Sequence, residues 1–148
     1  MIVPILLGSA TDKDFAQKII DELNKFDIPS EVIVASAHKV PEKVIQIIER
    51  FNKETEVVYV TLAGMSNGLS GVTAGSSYHP VIACPPHKDL MEYQVDIHSS
   101  LRMPKDTPVL TVLSPGNTAL CIAKMFAISH PELREKVVAR IKEVKASF

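Results

Sequence analysis

Cysteine is scarce. The two thiols, Cys84 and Cys121, form neither a C-x-x-C pair nor a Cys/His ligand spacing, which excludes a disulfide scaffold and a structural zinc site and points to a reducing cytoplasm. An excess of one charge sign is also missing. The 16 Lys plus Arg face 17 Asp plus Glu, a net charge of −1, so no uniform field draws the chain onto nucleic acid or an acidic membrane. Any anion must be held locally. The 6 glycines and 10 prolines are dispersed without period, excluding a collagen-like or low-complexity chain, and a 46% hydrophobic content argues against disorder. Aromatics make up only 5%, which leaves little to stack a flavin ring. Long apolar runs are absent too: the opening Met1-Ile2-Val3-Pro4-Ile5-Leu6-Leu7 is too short and uncharged for a signal peptide, and nothing approaches a membrane span. The remaining class is one globular domain over residues 1–148, able to bury roughly two-thirds of its unfolded surface.

What is present is a repeated alternation. Unbroken apolar runs at Ile2 to Leu7, Glu31 to Ala35, Val57 to Leu62, Pro80 to Cys84 and Val109 to Val112 read as buried parallel strands, the fourth weakened by its opening proline. Helical patterns lie between them. Phe15, Ile19, Leu23 and Phe26 share one face, and Val40, Val44, Ile47, Ile48 and Phe51 share another, with Asp12 and Pro41 as starting residues. Small residues up to Ser77 suggest a tightly packed helix, Leu90 to Leu101 a further one stopped by Pro104, and Gly116 to Ile128 another. Leu133, Val137, Ile141 and Val144 give a last amphipathic helix. This order predicts an α/β fold, a three-layer αβα sandwich on a mainly parallel sheet with ligands at the carboxyl ends of the strands.

Three polar clusters fall at such ends. Gly8-Ser9-Ala10-Thr11-Asp12 combines hydroxyls and a carboxylate at a helix start, suited to phosphate or ribose oxygens, although helix capping alone also explains Ser9, Thr11 or Asp12. Ser36-Ala37-His38-Lys39 compresses a hydroxyl, a titratable imidazole and a fixed cation, suited to anion binding with proton transfer. Ala63-Gly64-Met65-Ser66-Asn67-Gly68 offers close-lying amides and polar side chains without charge, suited to a carboxylate-like group. It is not G-x-G-x-x-G, so a dinucleotide is disfavoured. His79, His87, His98 and His130 lack ligand spacing and read as hydrogen-bonding or surface groups, so no metal is expected; Cys84 reads as an inert buried thiol, and Arg102 as a surface ion-pair partner.

Together these loops, with Pro80-Val81-Ile82-Ala83-Cys84-Pro85-Pro86, Asp96-Ile97-His98-Ser99-Ser100-Leu101-Arg102-Met103-Pro104 and Val112-Leu113-Ser114-Pro115, resemble the PurE family of purine biosynthesis in order and spacing over nearly the whole chain. Lys39 after Ser-Ala-His, the Ser66-Asn67-Gly68 loop and Ser-Ser-Leu-Arg-Met-Pro are similar to class II, the aminoimidazole ribonucleotide (AIR) carboxylases. Class I mutases usually carry arginine after that histidine and a Gly-Gly-Ala-Ala-His type of loop. Met65 departs from the pattern, standing where members can carry arginine.

The resemblance implies a flavodoxin-like fold and carboxylation of AIR by carbon dioxide to 4-carboxy-AIR (CAIR) without metal, biotin, ATP or another cofactor. It implies a nucleotide site at Gly8, Ser9 and Asp12, phosphate-side contacts from Ser36 and Lys39, and His38 as the catalytic histidine with Lys39 beside it. Gly64, Ser66, Asn67 and Gly68 would line the carbon dioxide and imidazole region. A symmetric homo-octamer is the expected assembly, with a tetramer as the alternative. Two other functions are carried alongside: a class I mutase acting on the N-carboxylated isomer of AIR, and a non-catalytic phosphate- or flavin-binding module. A phosphorelay receiver is weaker still, because Val57 to Leu62 ends without an acceptor aspartate.

Overall fold

The computed structural model describes residues 1–87 and 89–148. Five parallel strands, β1 (Val3–Leu7), β2 (Ser30–Val34), β3 (Tyr59–Leu62), β4 (Val81–Ala83) and β5 (Leu110–Thr111), are ordered β2-β1-β3-β4-β5. This is the flavodoxin-like order, in which the chain reverses direction across the sheet between β1 and β3 and opens a crevice at their carboxyl ends.

β1 is buried along its whole length, which is why its sequence shows no polar alternation. Val3, Ile5 and Leu7 pack with Ile19 and Leu23 of α1 (Lys13–Asn24), Ile122 and Phe126 of α5 (Pro115–Phe126), and Leu133 and Val137 of α6 (Pro131–Ala146). Leu6 turns to the other face, among Val44, Ile48 and Phe51 of α2 (Pro41–Phe51) and Leu69 of α3 (Gly68–Ser76). Pro4 in this central strand leaves a mark on the pairing. A bridge joins Ile2 to Val57, and the ladder to β3 resumes only at Ile5 with Val60, because proline has no N–H to donate between them.

The predicted strands and helices are all present, with four strands trimmed at their ends; β2 instead starts one residue early, at Ser30, and is partly exposed where a buried strand was expected, because it lies at the sheet edge. β5 is halved, to Leu110–Thr111, since it is an edge strand with one neighbour and Leu110 is half-exposed. On α6 the apolar stripe divides: Leu133 and Val137 are buried in the chain's own core, whereas Val144 projects outward. Helix α4 (Leu90–Leu101) differs from the others. Its one buried residue is Ser100, while Leu90, Met91 and Val95 are 74%, 79% and 73% exposed. Apolar burial does little to hold this helix on the sheet.

At the amino edge of the sheet, His130 precedes α6 and places Nε2 2.8 Å and 2.9 Å from the two carboxylate oxygens of Glu56, with Nδ1 3.2 Å from Glu132. The hydrogen bond to Glu56 raises the His130 pKa above its ordinary 6.5, and the same bond lowers Glu56 below 4.5. The raised imidazole contributes stability fully below its unfolded value and loses it as pH climbs through the folded value; the depressed carboxylate contributes above its unfolded value and loses it on acidification. The pair therefore stabilises most between pH 4.5 and 6.5. Thermal melts of His130→Gln against the parent chain should show their largest gap in that window and a shrinking gap at pH 8; a gap independent of pH would refute the pairing.

Candidate active site

The carboxyl ends of β1, β2 and β3 do bring the three polar clusters together. They line one cleft of about 400 Å³, within the usual range for a small-molecule site. Gly8, Ser9 and Asp12 come from the first loop, Ser36, His38 and Lys39 from the second, and Gly64, Ser66 and Gly68 from the third.

Each loop has a local cause. Gly8 donates its N–H to Leu62 O at 2.8 Å, tying the first loop to β3, and a Cβ there would stand 3.3 Å from that of Ala63. Ser9 caps the 3-10 turn Ala10–Asp12, accepting from Thr11 N at 3.3 Å. Asp12 stands at the expected helix start, as the residue that precedes α1, but its side chain makes no capping bond there and lies buried on the cleft wall. Val40 N bonds Ser36 O at 2.9 Å, a tight turn that lifts His38 and Lys39 into the open before Pro41 starts α2. Lys39 is the one Lys or Arg among the described lining residues.

The third loop makes its turn at a residue other than glycine. None of its glycines takes a positive φ; the left-handed residue is Met65, at φ 55°. Such a conformation costs roughly 1–2 kcal/mol for a residue with a Cβ, and the other two cases among the described non-glycine residues are Asp27 and Asp106, a type that tolerates it better. Asn67 also departs from its expected place. Its side chain is buried, accepting from Ser70 N at 3.1 Å as the cap of α3 and donating to the hydroxyls of Ser70 and Ser100 at 2.6 Å and 2.9 Å. It supports the cleft from beneath and is not one of its lining residues. Of the loop's amides, those of Met65, Asn67 and Gly68 are already bonded, to Asp96, Ser99 and Ser66. Among the described residues, the N–H groups of Gly64 and Ser66 have no such partner. Gly68 lies against the catalytic candidate: a Cβ built on it would stand 2.7 Å from His38 Nε2.

A fourth wall escaped the sequence reading. Pro86, His87, Asp89, Glu92, Tyr93 and Asp96, from the segment after β4 and from α4, line the cleft as well. His87, read from sequence as a local or surface group, packs its ring 5.0 Å from Tyr93 and 6.1 Å from Phe15. Burial raises the Tyr93 phenol above its ordinary value, with the nearby Cys84 adding to it. Cys84 is fully buried, and burial pushes its thiol up to about 11, so it is no nucleophile. Asp96, Ser99 and Ser100 recur at helical spacing on α4 and all reach the third loop. That polar stripe among apolar neighbours was the available signal. Arg102 forms no ion pair among the described residues, contrary to its expected surface pairing.

The chain is similar to known proteins over nearly its whole length. The family model for AIR carboxylase matches residues 2–147. A phosphoribosylaminoimidazole carboxylase of Archaeoglobus fulgidus is 46% identical over 134 residues, covering 90% of this chain and 73% of that protein. One from Treponema denticola is 39% identical over 137 residues, covering 92% and 86%. The crystal structure of Treponema denticola PurE superposes with a TM-score of 0.94 at 36% identity, over 99% of this chain and 92% of that one. With the fold, the order of the loops and near full-length similarity in agreement, this chain belongs to the AIR carboxylase (PurE) family.

Proposed function

We propose that the chain carboxylates AIR with carbon dioxide to give CAIR in purine biosynthesis, with His38 as the proton acceptor. The observation that carries this reading is the placement of an exposed imidazole and the cleft's lysine on one loop, facing the third loop across the sheet's crevice. The aminoimidazole ring is electron-rich. Its ring carbon attacks carbon dioxide, a C–C bond forms, and the displaced π pair becomes carboxylate charge. The now tetrahedral carbon must then give up its proton to restore aromaticity. His38 takes that proton, while Lys39 and the unbonded amides of Gly64 and Ser66 stabilise negative charge. Ser9, at the cap of its 3-10 turn, and Ser36 with Lys39 supply the phosphate side of the nucleotide.

A mutase acting on the N-carboxylated isomer needs the same base and the same pocket. Lys39 and Ser66-Asn67-Gly68 follow the carboxylase pattern at two separate strand ends, and that favours free carbon dioxide as the donor. Labelled bicarbonate, equilibrated rapidly with carbon dioxide in the presence of AIR and without ATP, should place label in CAIR. Efficient conversion of the unlabelled isomer with no uptake of external label would assign the mutase instead.

Among the described residues no helix is long and apolar enough to cross a membrane, and the scarcity of cysteine fits a cytoplasmic enzyme. The outward apolar residues of α4 suit a homo-oligomer, an octamer in this reading and a tetramer as the alternative. Light scattering at working concentration should give a multiple of the 16.2 kDa chain mass, and a monomer would reject the assembly.

A further inference from the structure

Helix α4 grips the third loop almost entirely through side-chain hydrogen bonds, and they converge on one strained residue. Asp96 Oδ2 accepts the Met65 N–H at 2.7 Å. One turn later, Ser99 Oγ accepts from Asn67 N at 3.0 Å and lies within donating distance of Met65 O at 3.0 Å and Asp96 O at 2.7 Å. Both backbone polar groups of Met65 thus lie within hydrogen-bond reach of α4, at the one long unbranched residue among the described residues with a left-handed backbone. Nothing on the Met65 side chain holds it there, since that side chain is 80% exposed. Three residues on, the same loop presents Gly68 to the His38 ring.

We propose that Asp96 is a positioning residue for the carboxylation: with Ser99 it clamps Met65 in the left-handed conformation and so fixes where the loop stands against His38 and carbon dioxide. The inference rests on the AIR carboxylase reading of the cleft. It assigns Asp96 no contact with substrate and no proton. A carboxylate is the strongest neutral-pH acceptor for a single backbone N–H, and its partner here is the amide of the residue whose conformation is least favourable. Because α4 contributes almost no apolar burial, losing this bond frees the loop without opening the core.

The test is a double-mutant cycle with a KM and kcat reading. Asp96→Ala should lower kcat roughly ten- to hundredfold, the scale of a misplaced catalytic geometry, while KM for AIR changes little because the phosphate side lies on the first two loops. Asp96→Asn keeps an acceptor oxygen and should retain most of the rate. Met65→Gly removes the conformational cost, so Asp96→Ala introduced into that background should cost only a few-fold in kcat relative to Met65→Gly alone. An equal loss in both backgrounds, or a loss confined to KM, would overturn the assignment. Should Asp96→Ala fail to fold, Ser99→Ala removes the other half of the clamp and carries the same expectation. Circular dichroism confirms folding, and nucleotide affinity by calorimetry tests the AIR reading itself: loss of AIR binding by the parent chain would sink that reading, whereas loss of rescue alone sinks only the clamp.

Discussion

Replacing His38 by asparagine should lower turnover of AIR roughly 10²- to 10⁴-fold, the range that a positioned acid or base contributes, with nucleotide affinity nearly unchanged. The two effects separate because His38 stands at the open end of the cleft with no hydrogen-bond partner among the described residues, so the fold does not depend on it. Asparagine keeps a polar side chain of similar reach and removes only the titratable nitrogen. If the ring carbon attacks carbon dioxide unaided, the tetrahedral intermediate still forms and partitions back, because nothing removes its proton. An AIR consumption assay beside calorimetry reads both quantities. Near-normal turnover in a folded variant would falsify the catalytic assignment, and a matching loss of affinity would instead make His38 a binding residue.

Much of this site was legible because parallel α/β sheets announce their own geometry. Unbroken apolar runs such as Ile2 to Leu7 and Val57 to Leu62, alternating with helical patterns, read as strands covered on both faces, and the polar residues after them then gather at one edge. That logic, together with the motif resemblance, points to Gly8, Ser36, His38, Lys39 and Ser66, and all five line the cleft. What it could not show was which polar side chains face the cleft and which face the protein. Asn67 has the chemistry of a ligand-binding residue, yet a buried carboxamide beside Ser70 and Ser100 is more fully satisfied by its own chain. The α4 wall was missed for a related reason. Its amphipathicity is inverted, with apolar residues outward and Asp96, Ser99 and Ser100 inward, so a search for an apolar inner face passes over it. Met65 shows a third limit: left-handed backbone is expected at glycine, and here a side-chain clamp imposes it on methionine.

Adding one methyl group at Gly68 should be the second most damaging change, and it should cost activity without costing stability. Gly68 opens α3 with a negative φ, so alanine fits its backbone, and helix propensity favours alanine by up to about 1 kcal/mol. The obstacle lies outside the helix. The new Cβ would stand 2.7 Å from His38 Nε2, well inside van der Waals contact, with its Cε1 and Cδ2 also tight at 3.3 Å and 3.4 Å. Backbone cannot yield easily there, because Gly68 N bonds Ser66 O and the neighbouring Asn67 is locked into its buried network. The His38 ring can yield, since its side chain is exposed and free to change rotamer. It should therefore swing off the third loop, away from the carbon that must lose its proton. A displacement of this size is worth roughly 10²-fold in rate, so kcat for Gly68→Ala should approach that of His38→Asn while KM and Tm stay near the parent values. Gly64→Ala is the internal comparison, because its added Cβ meets nothing nearer than Asp96 Oδ2 at 3.5 Å and should be tolerated far better. Combining Gly68→Ala with His38→Asn should then add little to either alone, as expected when two substitutions remove the same proton acceptor. Full additivity in kcat would mean that Gly68 acts on the reaction by some route other than His38.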